Sequence, residues 1–495
     1  MAKNDFNADH LETLDRDLGR LSTLETATAY VARPMVGPAL SLIFIVATGI
    51  IAASFFDASS NGMIVIIAAI FGAYMALNIG ANDVANNMGP AVGANALTMA
   101  GAIAIAAIFE SAGALIAGGD VVSTIAKGII APSSMQSVDV FIWAMMAALL
   151  SAALWVNMAT WVGAPVSTTH SVVGGVMGAG IAAAGFGAVD WGTMSKIAAS
   201  WVISPVLGGI IAAAFLWFIK ANIIYRDDKI AAAKRWVPVL VGIMAGAFAS
   251  YLALKGLKKL IKIDLSTAVL IGLAVGFGFW LIMRPIIARQ SVGLENRNKS
   301  LKKLFNVPLI VSAALLSFAH GANDVANAVG PLAAIVQASK SGDYASAISI
   351  PLWVMVIGAA GISFGLFLFG PKLIRVVGNQ ITKLNPMRAY CVALSAAITV
   401  IVASWLGLPV SSTHIAVGAV FGVGFFREWD TARRMKQAKV VVDQTPVMAK
   451  EERSRRKLVR RSHFMSIIAA WVITVPAAAV ISAVIFSVIN WVTGS

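Results

Sequence analysis

"GANDVANNMGP" fills residues 80–90 and "GANDVANAVGP" fills residues 321–331. The chain writes the same Gly-Ala-Asn-Asp-Val-Ala-Asn stretch twice, 241 residues apart, each time inside an apolar run. A charged side chain at the centre of a bilayer costs about 2.5–3.5 kcal/mol on insertion scales. A carboxylate kept in such a run, twice, implies a polar cavity and a partner.

Composition places the run in a membrane. Of 495 residues, 59% are hydrophobic and 12% charged, whereas a soluble domain carries about a quarter charged residues. Runs such as 36–56, 140–161, 197–219 and 467–491 reach the roughly 20 apolar residues that a spanning helix needs. The sequence therefore reads as an all-α polytopic protein of the cell membrane, embedded in the lipid bilayer. The net charge of +15 collects in loops between the runs and implies no nucleic-acid partner. Cys391 is the only cysteine, which excludes an intrachain disulfide and a thiolate metal site. No phosphate-cradling loop, metal-ligand cluster or nucleophile elbow is present, so no enzyme and no cofactor is expected.

Further stretches recur in the same order. "APVSTTHSVVGGVMGAG" at 164–180 pairs with "LPVSSTHIAVGAVFGVG" at 408–424, and "WVISP" at 201–205 pairs with "WVITVP" at 471–476. A fainter match sets 113–118 against 361–365. This register predicts an internal duplication, with repeat one over 62–219 and repeat two over 307–492. Between them lies a linker, 220–306, with two apolar segments. Before them lie a polar leader, 1–35, without the features of a secretory signal, and an extra span at 36–56.

Each copy offers five apolar segments, which with the linker's two makes twelve core crossings. Equivalent points are then separated by an odd number of crossings, so the copies are expected to be inverted, a common transporter plan. Loop charge agrees. Repeat one follows its second motif with a short loop holding only Asp190, while the equivalent loop of repeat two, 427–463, carries twelve Lys or Arg. Positive-inside bias puts the second loop in the cytoplasm. Lys255, Lys258, Lys259 and Lys262 run against this count, falling on the outer side. The segments 165–184 and 408–426 are short and Gly-rich, which suits re-entrant or discontinuous helices.

The motifs carry complementary chemistry. Asp83 sits between Asn82 and Asn86, and Asp324 between Asn323 and Asn327. The flanking Gly80 and Pro90, or Gly321 and Pro331, permit a broken helix with free carbonyls. Carboxylate, amide and carbonyl oxygens form a hard set suited to a small cation. Sodium held by Asp83 and Asp324, or protons carried by them, would meet that description. The second motif places Pro ahead of Ser167, Thr168 and Thr169, or of Ser411, Ser412 and Thr413. Proline at a first turn followed by hydroxyls marks a helix N-terminus, which binds oxyanions through its free N–H groups. Lys and Arg are nearly absent from these segments. An anion docked beside two carboxylates is repelled unless a cation binds with it, so the pattern points to cation-coupled anion transport. Glu110 has no acidic counterpart in repeat two, where Gly358 stands in its place, and is a candidate for coupling or gating. His170 and His414, next to the Thr of each second motif, are candidates for the same role.

The duplicated Gly-Ala-Asn-Asp-Val-Ala-Asn and Pro-Val-Ser-(Ser/Thr)-Thr-His stretches resemble those of the PiT family of inorganic phosphate transporters, over about residues 62–492. The resemblance implies an inverted helical repeat, symport of phosphate with sodium or protons, and a homodimer. It implies cation binding around Asn82, Asp83, Asn86, Asn323, Asp324 and Asn327. Phosphate binding would fall to Ser167, Thr168, Thr169, Ser411, Ser412 and Thr413. Some family members carry sulfate, so a sulfate permease is the nearest alternative, with an anion channel or a nutrient sensor further off. The chain departs from the pattern in having Asn87 where repeat two has Ala328, and in its extra first span.

Overall fold

The computed structural model describes residues 35–56, 60–131, 134–162, 166–256, 263–341, 350–376, 384–437 and 461–494. Residues 1–34 of the leader and most of the basic loop lie outside these residues. The first helix, α1 (Met35–Ala53), precedes the duplicated core. Repeat one supplies α2 (Ser60–Asn82), α3 (Val84–Gly93), α4 (Met99–Ala117) and the short α5 (Gly119–Ser123). It continues with α6 (Val138–Val162), α7 (Thr168–Ala184) and α8 (Trp191–Ile219). The linker forms α9 (Lys229–Lys255), α10 (Leu265–Gln290) and α11 (Asn298–Leu304). Repeat two supplies α12 (Asn306–Ser341), α13 (Leu352–Val376), α14 (Pro386–Trp405), α15 (Ser412–Gln437) and α16 (Arg461–Thr493).

Eleven helices among the described residues are long and apolar enough to cross a membrane. The expected segments 165–184 and 408–426 are not among them. They become α7 and α15, whose first turns are buried inside the protein. Several helices that begin in loops start on side-chain caps, which satisfy amide groups that have no partner within the helix. Thr98, Asp190, Asp228, Asp264 and Asn385 serve α4, α8, α9, α10 and α14. The outer faces of α1 and α10 are apolar and exposed, among them Leu42, Ile43, Leu270, Leu273 and Phe277. Lipid covers such faces in a membrane-spanning bundle. Of the discordant lysines, Lys255 ends α9 in an ion pair with Asp120, and the other three lie outside the described residues.

The copies interlock rather than lying side by side. α2 packs on α13 as α12 packs on α4, and α7 packs on α16 as α15 packs on α8. Ser111 and Ser363 share a hydrogen bond of 2.8 Å, and the His170 and His414 rings meet at 4.5 Å. These contacts join matching residues of the two copies, as expected on a two-fold axis.

The motif glycines work differently from expectation. A methyl group at Gly80 would lie 1.9 Å from the Ile362 carbonyl oxygen, and one at Gly321 would lie 2.1 Å from that of Glu110. Both glycines permit helix crossings and neither breaks a helix. The equivalence also corrects the register: Glu110 corresponds to Ile362 and not to Gly358.

Candidate cation and anion site

Two helices bring the carboxylates to the centre, and two helix ends come to meet them. Asp83 lies in the one-residue gap between α2 and α3, where the chain tightens so that Asn86 N donates to Asp83 O at 3.0 Å. Asp324 lies within α12, which runs unbroken from Asn306 to Ser341. The expected discontinuity is therefore slight in repeat one and missing in repeat two. α12, packed on α4, α14 and α2, stays continuous through Gly321 and Pro331. The prolines still act, because neither Pro90 nor Pro331 can give an N–H to the carbonyl four residues back, at Asn86 and Asn327.

The larger interruptions fall at the second motif. Ser167 is extended and caps α7, its hydroxyl accepting from His170 N at 3.2 Å. Ser411 does the same for His414 N at 3.3 Å. Both serines, expected as anion ligands, thus serve as caps. Pro409 stands two residues before its cap, outside the first turn where proline was expected.

Hydrogen bonds tie the two motifs together. Thr168 Oγ1 donates to Asp83 Oδ2 at 2.6 Å, and its counterpart Ser412 Oγ donates to Asp324 Oδ2 at 3.1 Å. The second Asn of each motif reaches the other copy: Asn86 Nδ2 donates to Thr413 Oγ1 at 2.9 Å, and Asn327 Nδ2 to Thr169 Oγ1 at 3.1 Å. The first Asn stays within its copy, Asn82 donating to Thr160 at 2.8 Å and Asn323 to Ser404 at 3.0 Å. Thr160 and Ser404 escaped the sequence reading, although each stands seven residues before its capping serine.

Symmetry fails at the carboxylates. Asp83 takes a second hydroxyl, Thr413 Oγ1 at 3.1 Å. Asp324 has instead His320, whose Nε2 lies 2.8 Å from Oδ2 in a bent contact. The other ring nitrogen, Nδ1, lies 2.6 Å from Glu110 Oε2, and Glu110 Oε1 accepts from Asn87 Nδ2 at 2.8 Å. Asp83 and Asp324 are 1% exposed, and Glu110 and His320 are wholly buried. His320 escaped the sequence reading because its repeat-one counterpart is Ile79, so comparing the copies hides it.

One ligand atom from each of Asp83, His320 and Asp324 lies within 4.8 Å of the other two. Three buried oxygens here, Asp324 Oδ1, Asn323 Oδ1 and Asn327 Oδ1, have no hydrogen-bond donor among the described residues. Buried acceptors without donors are costly, and a small hard cation is the kind of group that satisfies them. His170 and His414 pack ring to ring beside Trp201, whose ring lies 3.9 Å from that of His170. Trp201 Nε1 donates to Pro409 O at 3.1 Å, fixing the approach to α15.

Residues 79–482 match the model of the phosphate transporter family. A protein of Helicobacter pylori J99 designated a phosphate permease is 45% identical, the match covering 96% of this chain and 99% of that one. One of Pyrococcus abyssi with the same designation is 37% identical over 86% of this chain and 97% of its own. A solved structure described as the sodium-dependent phosphate transporter superposes with a TM-score of 0.77 at 35% identity, covering 86% of this chain and 99% of that one. The protein is a membrane transporter and not an enzyme, and the chain belongs to the phosphate transporter family.

Proposed function

We propose that this protein carries inorganic phosphate across the membrane together with a cation, by alternating access. The observation that carries the reading is the direct bonding of two buried carboxylates, Asp83 and Asp324, to hydroxyls at two helix N-termini. Those ends offer free amide groups and positive dipoles to an oxyanion. The carboxylates beside them repel that oxyanion until cations or protons arrive.

In this mechanism Asp83 and Asp324 bind the cation first, with the side-chain oxygens of Asn82, Asn86, Asn323 and Asn327. Phosphate then docks among Thr168, Thr169, Ser412 and Thr413. Ser167 and Ser411 contribute chiefly by fixing the helix ends. The two copies lie inverted in the bilayer, and rocking about the central pairs turns the site from one side to the other. Each unit charge moved across 100 mV is worth about 2.3 kcal/mol, so the membrane potential assists entry only when the cation charge exceeds that of the phosphate. Sodium is favoured over protons by the description of the structural neighbour and by the three buried oxygens without donors.

Labelled phosphate uptake into proteoliposomes tests this reading, under an imposed sodium gradient or an imposed pH gradient, with excess sulfate as competitor. Concentrative uptake driven by sodium and resistant to sulfate is expected. Uptake that ignores both gradients, or that sulfate abolishes, would replace it with a channel or a sulfate permease.

A further inference from the structure

Superimposing the copies in sequence shows where polar residues of one face apolar residues of the other. His320 stands against Ile79, Glu110 against Ile362, and Asn87 against Ala328. These positions come from three helices, yet they form one connected group. Asn87 on α3 donates to Glu110 on α4, and Glu110 bonds His320 on α12. His320 then contacts Asp324 one turn further along the same helix. A polar group buried among apolar neighbours is costly unless its partners are in place. Three such departures from symmetry converging on one carboxylate therefore suggest a shared purpose at Asp324.

The contacts divide the Asp324 carboxylate into two edges. Oδ2 is taken by His320 and by Ser412, while Oδ1 has no donor among the described residues. Asn323 Oδ1 and Asn327 Oδ1 share that condition. In repeat one both oxygens of Asp83 accept hydroxyls, Thr168 on Oδ2 and Thr413 on Oδ1. The contact between His320 and Asp324 spans four residues of one helix, so it also depends on α12 running unbroken through the motif.

We propose that His320 is a positioning residue for the cation site. Clamped by Glu110, it holds the Oδ2 edge of Asp324 and aims the Oδ1 edge, with the Asn323 and Asn327 oxygens, at the cation. The site is thereby assembled on the repeat-two motif and not shared equally between the copies. The proposal rests on the reading of these oxygens as cation ligands. Groups that orient a metal ligand without touching the metal typically change affinity by about 10- to 100-fold.

The test is the sodium dependence of phosphate uptake in proteoliposomes. The double variant His320→Ile, Glu110→Leu gives each position the apolar character of its counterpart in the other copy, Ile79 or Ile362, and removes Glu110 together with the ring it bonds. It should raise the half-saturating sodium concentration by about tenfold or more. The phosphate KM at saturating sodium should stay within about twofold, because no ligand of the anion changes. His320→Gln, which keeps one donor, should fall between wild type and the double variant. A loss of uptake rate with an unmoved sodium dependence would mean a merely structural role and would overturn the proposal. Should the double variant fail to insert, His320→Gln carries the test through the sodium-induced rise in thermal stability in detergent. That rise should shrink, and a rise equal to that of wild type would overturn the proposal. Wild-type uptake indifferent to sodium would instead overturn the cation reading beneath it.

Discussion

The two copies of the Asn-Asp motif share a sequence and differ in surroundings. In repeat one Asp83 sits at a tightened turn between two helices and is satisfied by two hydroxyls. In repeat two Asp324 sits on an unbroken helix, held on one edge by His320 and without a donor among the described residues on the other. Duplication supplied two carboxylates, and the residues around them made the two unequal. A transporter needs both features. Symmetry lets inverted halves exchange shapes, while a bound ion needs one well-defined set of ligands.

The largest expected effect comes from removing either charge. Asp324→Asn and Asp83→Asn should each lower gradient-driven uptake by about a hundredfold or more, the upper end for disturbing a metal site, with protein still found in the membrane. The comparison sharpens if Asp324→Asn abolishes sodium-dependent stabilisation while Asp83→Asn leaves part of it. Equal losses in thermal shift assays would mean that the carboxylates serve alike.

The crossing glycines come next. Gly80→Ala and Gly321→Ala both force a methyl group onto a carbonyl, at 1.9 Å and 2.1 Å, and overpacking of this kind costs about 1–3 kcal/mol. Both should lower thermal stability. Only Gly321→Ala presses on Glu110, so only it should also raise the half-saturating sodium concentration. A shift in both variants would erase the distinction between the copies.

The smallest expected effect belongs to the capping serines. Ser167→Ala with Ser411→Ala removes two caps, each worth about 1 kcal/mol. Unfolding temperature should fall, and phosphate affinity should change less than it does on losing Thr168, whose hydroxyl touches Asp83. Unchanged stability with lost affinity would return the serines to the role of anion ligands.

Much of this was legible in the sequence because it was written twice. The apolar runs, the duplicated motifs and the pairing of carboxylates with helix ends all follow from residues that the copies share. Three features were hidden, each for a physical reason. The continuity of α12 is a packing outcome, since neighbouring helices enclose a segment that its Gly and Pro would let break. The pairing of Glu110 with Ile362 depends on how α4 and α13 cross the motif helices, and their short Gly-rich match fixes no register. His320 directly precedes the second copy of the Asn-Asp motif, yet its counterpart is Ile79, and a search for repetition passes over a residue that one copy lacks.

The most direct test of the central claim, that cations must neutralise Asp83 and Asp324 before phosphate docks, is phosphate binding to the purified protein. It would be followed by calorimetric titration at neutral pH, in sodium chloride and in choline chloride. Binding in sodium with little or none in choline is the expected result. Equal affinity in the two salts would contradict the claim, because the carboxylates would then pose no barrier to the anion.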